Sequence, residues 1–225
     1  MKISNTTITI LKNLASFNPH LVIQAGNVIR TVNDKKTTLI KAIVEEEFPT
    51  EIALHDLNGF LKVVSLFDDP DFEFNEDHVI ISDDSGATQD YQYSDKEDLV
   101  YDERNVNFPE TDIALEVTDE QIKKVIKAAG VNGVEDIAIV GEGGKVTLKA
   151  LDKEQPKRVF SVLISNEDKG EFTVYLKHSK KGSKLNILPL DYLLEISEHK
   201  IVRFSAKVEE VEVSYILAAE VDSEF

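Results

Sequence analysis

The sequence predicts an α+β protein built as two similar halves, each with amphipathic helices packed on antiparallel β-sheet. Three observations predict it. Apolar residues recur at helical spacing in a few separate segments, alternating β-branched segments follow them, and the series returns in the second half. The offset is constant: Ser4 answers to Thr118, Ile8 to Ile122, Leu11 to Val125 and Ala15 to Ala129. A chain of 225 residues, 42% hydrophobic and 30% charged, is long enough for a sizeable core and for one or two domains.

The opening segment, from Ile3 to Ala15, reads as a helix with Ser4 at its N-cap. The stretch HLVIQAGNVIRTV after it alternates as a β-hairpin does, with a turn expected near Ala25 to Asn27. Leu54 to Phe67 (LHDLNGFLKVVSLF) places Leu57, Phe60, Leu61 and Val64 on one helical face. Gly59 costs that helix ~1 kcal/mol of propensity, so packing must hold it. Asp95 to Asp112 is polar, acidic and without helical period, which makes it the linker. Its apolar points, Leu99, Val100, Tyr101, Val106 and Phe108-Pro109, either pin it to its own domain or wall a groove for a partner's peptide.

Val117 to Gly130 (VTDEQIKKVIKAAG) is the clearest helix of the second half, with the stripe Ile122, Val125, Ile126 and Ala129. Thr118 and Gln121 fit a capping box, and Asp119 and Glu120 suit the positive end of the dipole. EDIAIVGEGGKVTLKAL is the matching hairpin, turning at Gly141 to Gly144. The counterpart of the second helix is weaker: Gly182 and Pro189 limit His178 to Leu188 (HSKKGSKLNIL) to a short helix at most.

Charge and composition exclude several functions. A net charge of −17 and a pI near 4.7 oppose indiscriminate wrapping of nucleic acid, so any polyanion contact must be confined to a local basic zone. The chain has no cysteine, which removes disulfides, thiolate metal sites and cysteine nucleophiles. No run approaches the roughly 18 apolar residues of a membrane span, and the start lacks the layout of a signal peptide. The expectation is a soluble intracellular protein.

Catalytic patterns are missing too. His20, His55, His78, His178 and His199 are scattered, with no pair at helical ligand spacing. GEGGK lacks the Ser/Thr of a phosphate loop and precedes a strand, so it reads as a turn. Glu45-Glu46-Glu47 and Asp68-Asp69-Pro70-Asp71 lack the ligand alternation of a calcium loop and read as solvated segments. No metal, cofactor or enzymatic activity is expected.

Lysines remain. Lys123, Lys124 and Lys127 lie opposite the apolar stripe of their helix, which alone is what a solvated face looks like. Recurrence is what suggests a binding surface: Lys12, Lys62 and the group Lys177, Lys180, Lys181 and Lys184 occupy corresponding segments.

MKIS…TILKNLASFN, DLNGFL within the second helical segment, and the ending YILAAEVDSEF resemble the corresponding stretches of the DNA polymerase sliding clamps of T-even-like bacteriophages. The similarity runs in order over the full length. KLNILPLDYLLEIS is similar to a helix-to-strand passage that clamps of many sources write L-K-x-x-P-G-D-Y, although Leu190 stands where that pattern has glycine. The resemblance implies the DNA clamp fold, with domains at 1–98 and 113–225 joined by a connector at 99–112. It further implies a homotrimeric ring, helices inside and sheets outside, that encircles duplex DNA without reading sequence and tethers the replicative DNA polymerase. An ATP-driven clamp loader would open it, late transcription factors would be further partners, and the cytoplasm of the infected bacterial host would be its place.

Under that resemblance Lys12, Lys62, Lys123, Lys124, Lys127, Lys177, Lys180, Lys181 and Lys184 face DNA. Val100, Phe108 and Pro109 on the connector, with Leu217, Ala218 and Ala219 near the end, form the pocket for a partner's peptide. Two other classes stay open. One is an acidic β-rich phage structural or adaptor protein that encircles nothing; the other is an enzyme with an unrecognised acidic metal site.

Overall fold

A computed structural model describes residues 1–101, 106–155, 158–178 and 185–225. The chain divides into two compact units, Met1–Arg104 with Lys207–Val213, and Asn105–Ala206 with Ser214–Phe225.

The first unit begins with α1 (Asn5–Leu14), followed by β1 (Leu21–Ile23), β2 (Gly26–Val32), β3 (Thr38–Phe48) and β4 (Ile52–Leu54). Then come α2 (Leu57–Val64), β5 (Asp71–Phe74), β6 (His78–Ser82), β7 (Thr88–Gln92) and a single 3-10 turn at Lys96–Asp98. Its strands are ordered β4-β1-β2-β3 in one sheet and β5-β6-β7 in another, with all the registered pairs antiparallel. Ile10, Leu11 and Leu14 of α1 and Leu57, Phe60, Leu61 and Val64 of α2 are buried. Those are the apolar positions of the two helical periods, which is why the helices hold despite their short length.

Caps fix where these helices start. Ser4 Oγ accepts the Thr7 N–H (3.2 Å), and Glu46 of β3 accepts from Ser4 N (2.5 Å) and Thr7 Oγ1 (2.6 Å). Burial pushes the Glu46 carboxyl up, but these donors outweigh it and its pKa is lowered. The second helix is shorter than the sequence pattern suggests: Leu54 pairs with Leu21 in the sheet, and α2 starts only after Asp56, whose Oδ1 accepts the Gly59 N–H (2.8 Å). Gly59 therefore has a positive use. A Cβ there would stand 2.5 Å from Asp56 Oδ2, so the cap and a side chain cannot share the space.

The second unit holds β8 (Ile113–Val117), α3 (Asp119–Asn132), β9 (Asp136–Glu142), β10 (Lys145–Leu151), β11 (Phe160–Ser165) and β12 (Phe172–Lys177). β13 (Tyr192–Ser197), β14 (Ile201–Val208) and β15 (Val211–Ala218) complete it. One sheet is ordered β11-β10-β9-β12, and another runs β15-β14-β13-β8. Lys207–Val213, the end of β14 and the start of β15, belong to the first unit.

The capping box of α3 is complete: Thr118 N donates to Gln121 Oε1 (2.8 Å) and Gln121 N to Thr118 Oγ1 (3.3 Å). Gly133, left-handed at φ 67°, ends the helix. Ile122, Val125 and Ala129 are buried, whereas Ile126 is only half-buried at the margin of the stripe. The β9–β10 hairpin closes on Gly143 and Gly144, both at positive φ, so GEGGK is a turn. The first hairpin turns one residue earlier than its pattern suggests, because Gly26 already belongs to β2. Of the short helix expected over His178 to Leu188, residues 179–184 lie outside the described residues and Leu185 to Leu188 are not helical.

Candidate functional site

Each of α1, α2 and α3 carries lysine on an exposed face. Lys12 and Lys62 sit in the last turns of α1 and α2, where a cation meets the negative end of the helix dipole. Both are exposed, and among the described residues neither has an acidic partner. α1 packs on α2, so the two lysines belong to one helical layer of the first unit.

On α3 the charges are partly neutralised. Lys123 Nζ lies 2.5 Å from Asp119 Oδ2 and Lys124 Nζ lies 2.6 Å from Glu120 Oε1, each one turn back. Both pairs are exposed, so water and salt screen them and they hold the lysines only weakly. Lys127, exposed and one turn further on, has no acidic partner among the described residues. Lys177 differs in kind. It lies on β12, 3.0 Å from the buried carboxylate of Asp136, whose charge it neutralises. Lys180, Lys181 and Lys184 lie outside the described residues.

The six residues named for a partner's peptide are divided between the two units. Val100 is exposed in the first unit. In the second, the ring of Phe108 lies under the Arg203 guanidinium, 4.4 Å from its centroid, with Pro109 half-buried beside it. Leu217 is 4% exposed and belongs to the core, because alternation along β15 turns it inward. Ala218 is exposed, and Ala219 N donates to the Lys200 carbonyl (2.8 Å).

A cleft of about 470 Å³ opens elsewhere on the second unit, on the sheet β11-β10-β9-β12. β9 is buried on both faces: Ile137 and Ile139 alternate with Ala138 and Val140. Ala138, Val140 and Leu151 cluster with Tyr175 and form the cleft's apolar floor. Glu142, Glu171, Glu224 and Lys149 stand at its rim, which leaves it acidic. The chain's end supplies one wall: Glu224 pairs with Thr173 through two backbone hydrogen bonds (2.9 and 2.8 Å), and Ser223 Oγ accepts the Tyr175 N–H (3.0 Å). Lys153 ties this end down by bonding both oxygens of Asp222 (3.0 and 2.8 Å) while lying over the Tyr175 ring. The sequence carried one signal for the cleft. Apolar residues at four consecutive positions, Ile137 to Val140, break alternation and mean that a strand is covered on both sides.

Among the described residues no group of three or more His, Asp or Glu side chains could hold a metal, and no helix is long and apolar enough to cross a membrane.

A family model described as DNA polymerase processivity factor matches residues 2–101. Similarity to curated proteins spans the whole chain. A sliding clamp of Vibrio phage KVP40 is 33% identical over 227 residues, covering 98% of this chain and 99% of the relative. Sliding clamps of Escherichia phage RB69 (28% identical, 99% and 98% covered) and Enterobacteria phage T4 (27% identical, 99% and 98% covered) also match. Among solved structures, proliferating cellular nuclear antigen from Entamoeba histolytica superposes with a TM-score of 0.72 at 15% identity, over 95% of this chain and 94% of the other. The A. fulgidus PCNA, solved with the C-terminal region of FEN-1 bound, gives 0.72 at 14% identity over 96% of both chains. These two share the clamp fold.

Proposed function

This chain belongs to the sliding-clamp family of T4-like phages, the DNA polymerase processivity factors, and we propose that it works as a head-to-tail ring of three copies through which duplex DNA slides. It is a processivity factor rather than an enzyme, and its partners are DNA and a polymerase.

The ring reading rests on the sheet ends. β5 is bridged on its outer side by Lys2 and β12 by Glu224, so the chain's own ends cover one edge of each small sheet. β7 and β11 are the opposite ends. β11 also exposes Phe160 and Leu163, at 36% and 44%, on an otherwise acidic protein. Pairing β11 of one copy with β7 of the next would cover these edges and make a heterologous contact, which closes into a ring when the rotation allows.

Lys12, Lys62, Lys123, Lys124 and Lys127 would then supply phosphate contacts from inside. Lysine suits sliding because its ammonium is a flexible point charge, whereas bidentate base readout worth ~1–3 kcal/mol would create stopping points. The net charge of −17 keeps DNA off the remaining surface. A partner's short apolar peptide has its best seat in the cleft over Ala138, Val140 and Tyr175, where burying one Leu or Phe contributes roughly 1.5–3 kcal/mol before ordering costs. A closed ring needs an opener, so an ATP-driven loader is expected, with late transcription factors as further partners in the cytoplasm of the infected host.

Retention on DNA separates this reading from an adaptor that encircles nothing. A trimer held on nicked circular DNA and lost after linearisation is the expected result. Equal loss from both forms, or a monomer by sedimentation at micromolar concentration, would overturn it.

A further inference from the structure

Val100, at the start of the connector, is gripped at both backbone groups by side chains from the segment between α1 and β1. Its N–H donates to His20 Nδ1 (3.1 Å), and its carbonyl accepts from Asn18 Nδ2 (2.8 Å). Asn18, only 4% exposed, is itself fully engaged: it donates to the Val32 carbonyl (2.9 Å), and its Oδ1 accepts the His20 N–H (2.9 Å). The adjoining Leu99 is buried with Val22 and Ala53, and Tyr101 packs against the same group.

We infer that His20 is a proton-sensitive latch on the connector: its neutral ring holds the Val100 N–H, and protonation frees that N–H while Asn18 keeps the carbonyl. An imidazole accepting at Nδ1 must carry its proton at Nε2, and a second proton would turn the acceptor into a donor facing the Val100 N–H. His55 faces the ring, with centroids 4.6 Å apart, and opposes an added charge on His20. Asp56 beside it accepts from Gly59, Lys96 on the connector side is bonded to Glu51, and Asp98 is exposed. Burial first, and His55 second, hold the His20 pKa below the ordinary imidazole value. The latch is therefore closed at neutral pH. Its contribution begins to fall below about pH 6.5, the unfolded histidine value, and is lost as pH drops through the lowered folded pKa.

Histidine ring shifts and amide exchange, followed by NMR on the intact protein between pH 7.5 and 5, test this. Val100 exchange, corrected for the intrinsic pH dependence, should accelerate about tenfold, the loss of one net hydrogen bond, with the midpoint of the His20 ring. His55→Ala should move both midpoints upward together. Leu21 and Val22, which pair with Leu54 and Ala53, should keep their protection. Val100 protection that stays flat through the His20 titration, midpoints that part in the His55 variant, or loss across β1 at the same pH would each overturn the latch.

Discussion

Lys123 bonds Asp119 within α3 at 2.5 Å, so part of the helix's basic face is neutralised within the helix itself. Lys127, with no such partner among the described residues, presents its charge unopposed. Lys127→Ala should weaken retention on circular DNA and reduce the salt slope by about 0.9 for each phosphate that the lysine neutralises. Asp119→Asn should strengthen retention by freeing Lys123. Dissociation rates over a salt series check both; an unchanged slope in the first variant would remove Lys127 from the DNA surface.

Glu195 is 7% exposed and accepts from Arg203 Nε and Nη2 (2.6 Å each) and from Thr111 Oγ1 (3.0 Å). Burial raises its pKa, but these donors outweigh burial and the net shift is downward. A lowered folded pKa gives stability that is present above the unfolded value of about 4.3 and is lost as pH falls through the folded one. Glu195→Gln should cost about 2 kcal/mol at pH 7, with much of the difference gone once both pKa values are passed. Urea denaturation at pH 7 and at a pH below both pKa values reads it directly. An equal cost at both would mean that charge is not what Glu195 contributes.

Gly141 faces Phe172 across the ladder, and a Cβ there would stand 2.3 Å from Cε1 of that ring and 2.5 Å from the Gly170 carbonyl oxygen. Gly141→Ala should destabilise by about 1–3 kcal/mol, the usual cost of overpacking, and distort the mouth of the cleft. A lower urea midpoint with unchanged slope is the expected signature.

Val140→Glu would place a charge on the cleft's floor without touching α3 or the β7 and β11 edges. Binding of a polymerase's terminal peptide, followed by calorimetry, should weaken at least tenfold, because the loss of one buried apolar anchor is worth about 1.5 kcal/mol or more. Phe108→Ala serves as the comparison. If only the Phe108 variant loses affinity, the peptide seat is on the connector rather than on the cleft.

Much of the local structure was legible in the chain. Thr118 and Gln121 announced their capping box, Gly143-Gly144 their turn, and the spacing of Ile122, Val125 and Ala129 the buried side of α3. These features depend on residues within a few positions of one another, so composition and period suffice to specify them. The α+β class and the family resemblance were legible for a similar reason, since both rest on the order of such segments.

Charge pairing and burial were decided otherwise. Nothing local says that Leu217 turns inward, that Lys177 neutralises Asp136, or that Asp119 closes Lys123 while Lys127 has no acidic partner among the described residues. Nor does spacing reveal that Ser223 and Glu224 lace onto Tyr175 and Thr173 to wall a cleft, or that His20 takes the N–H of Val100. Sequence determined which segments become helices and strands, because those choices are made by short-range sterics and capping. Tertiary structure decided which charges stay free and which apolar atoms meet, because pairing and burial depend on residues far apart in the chain.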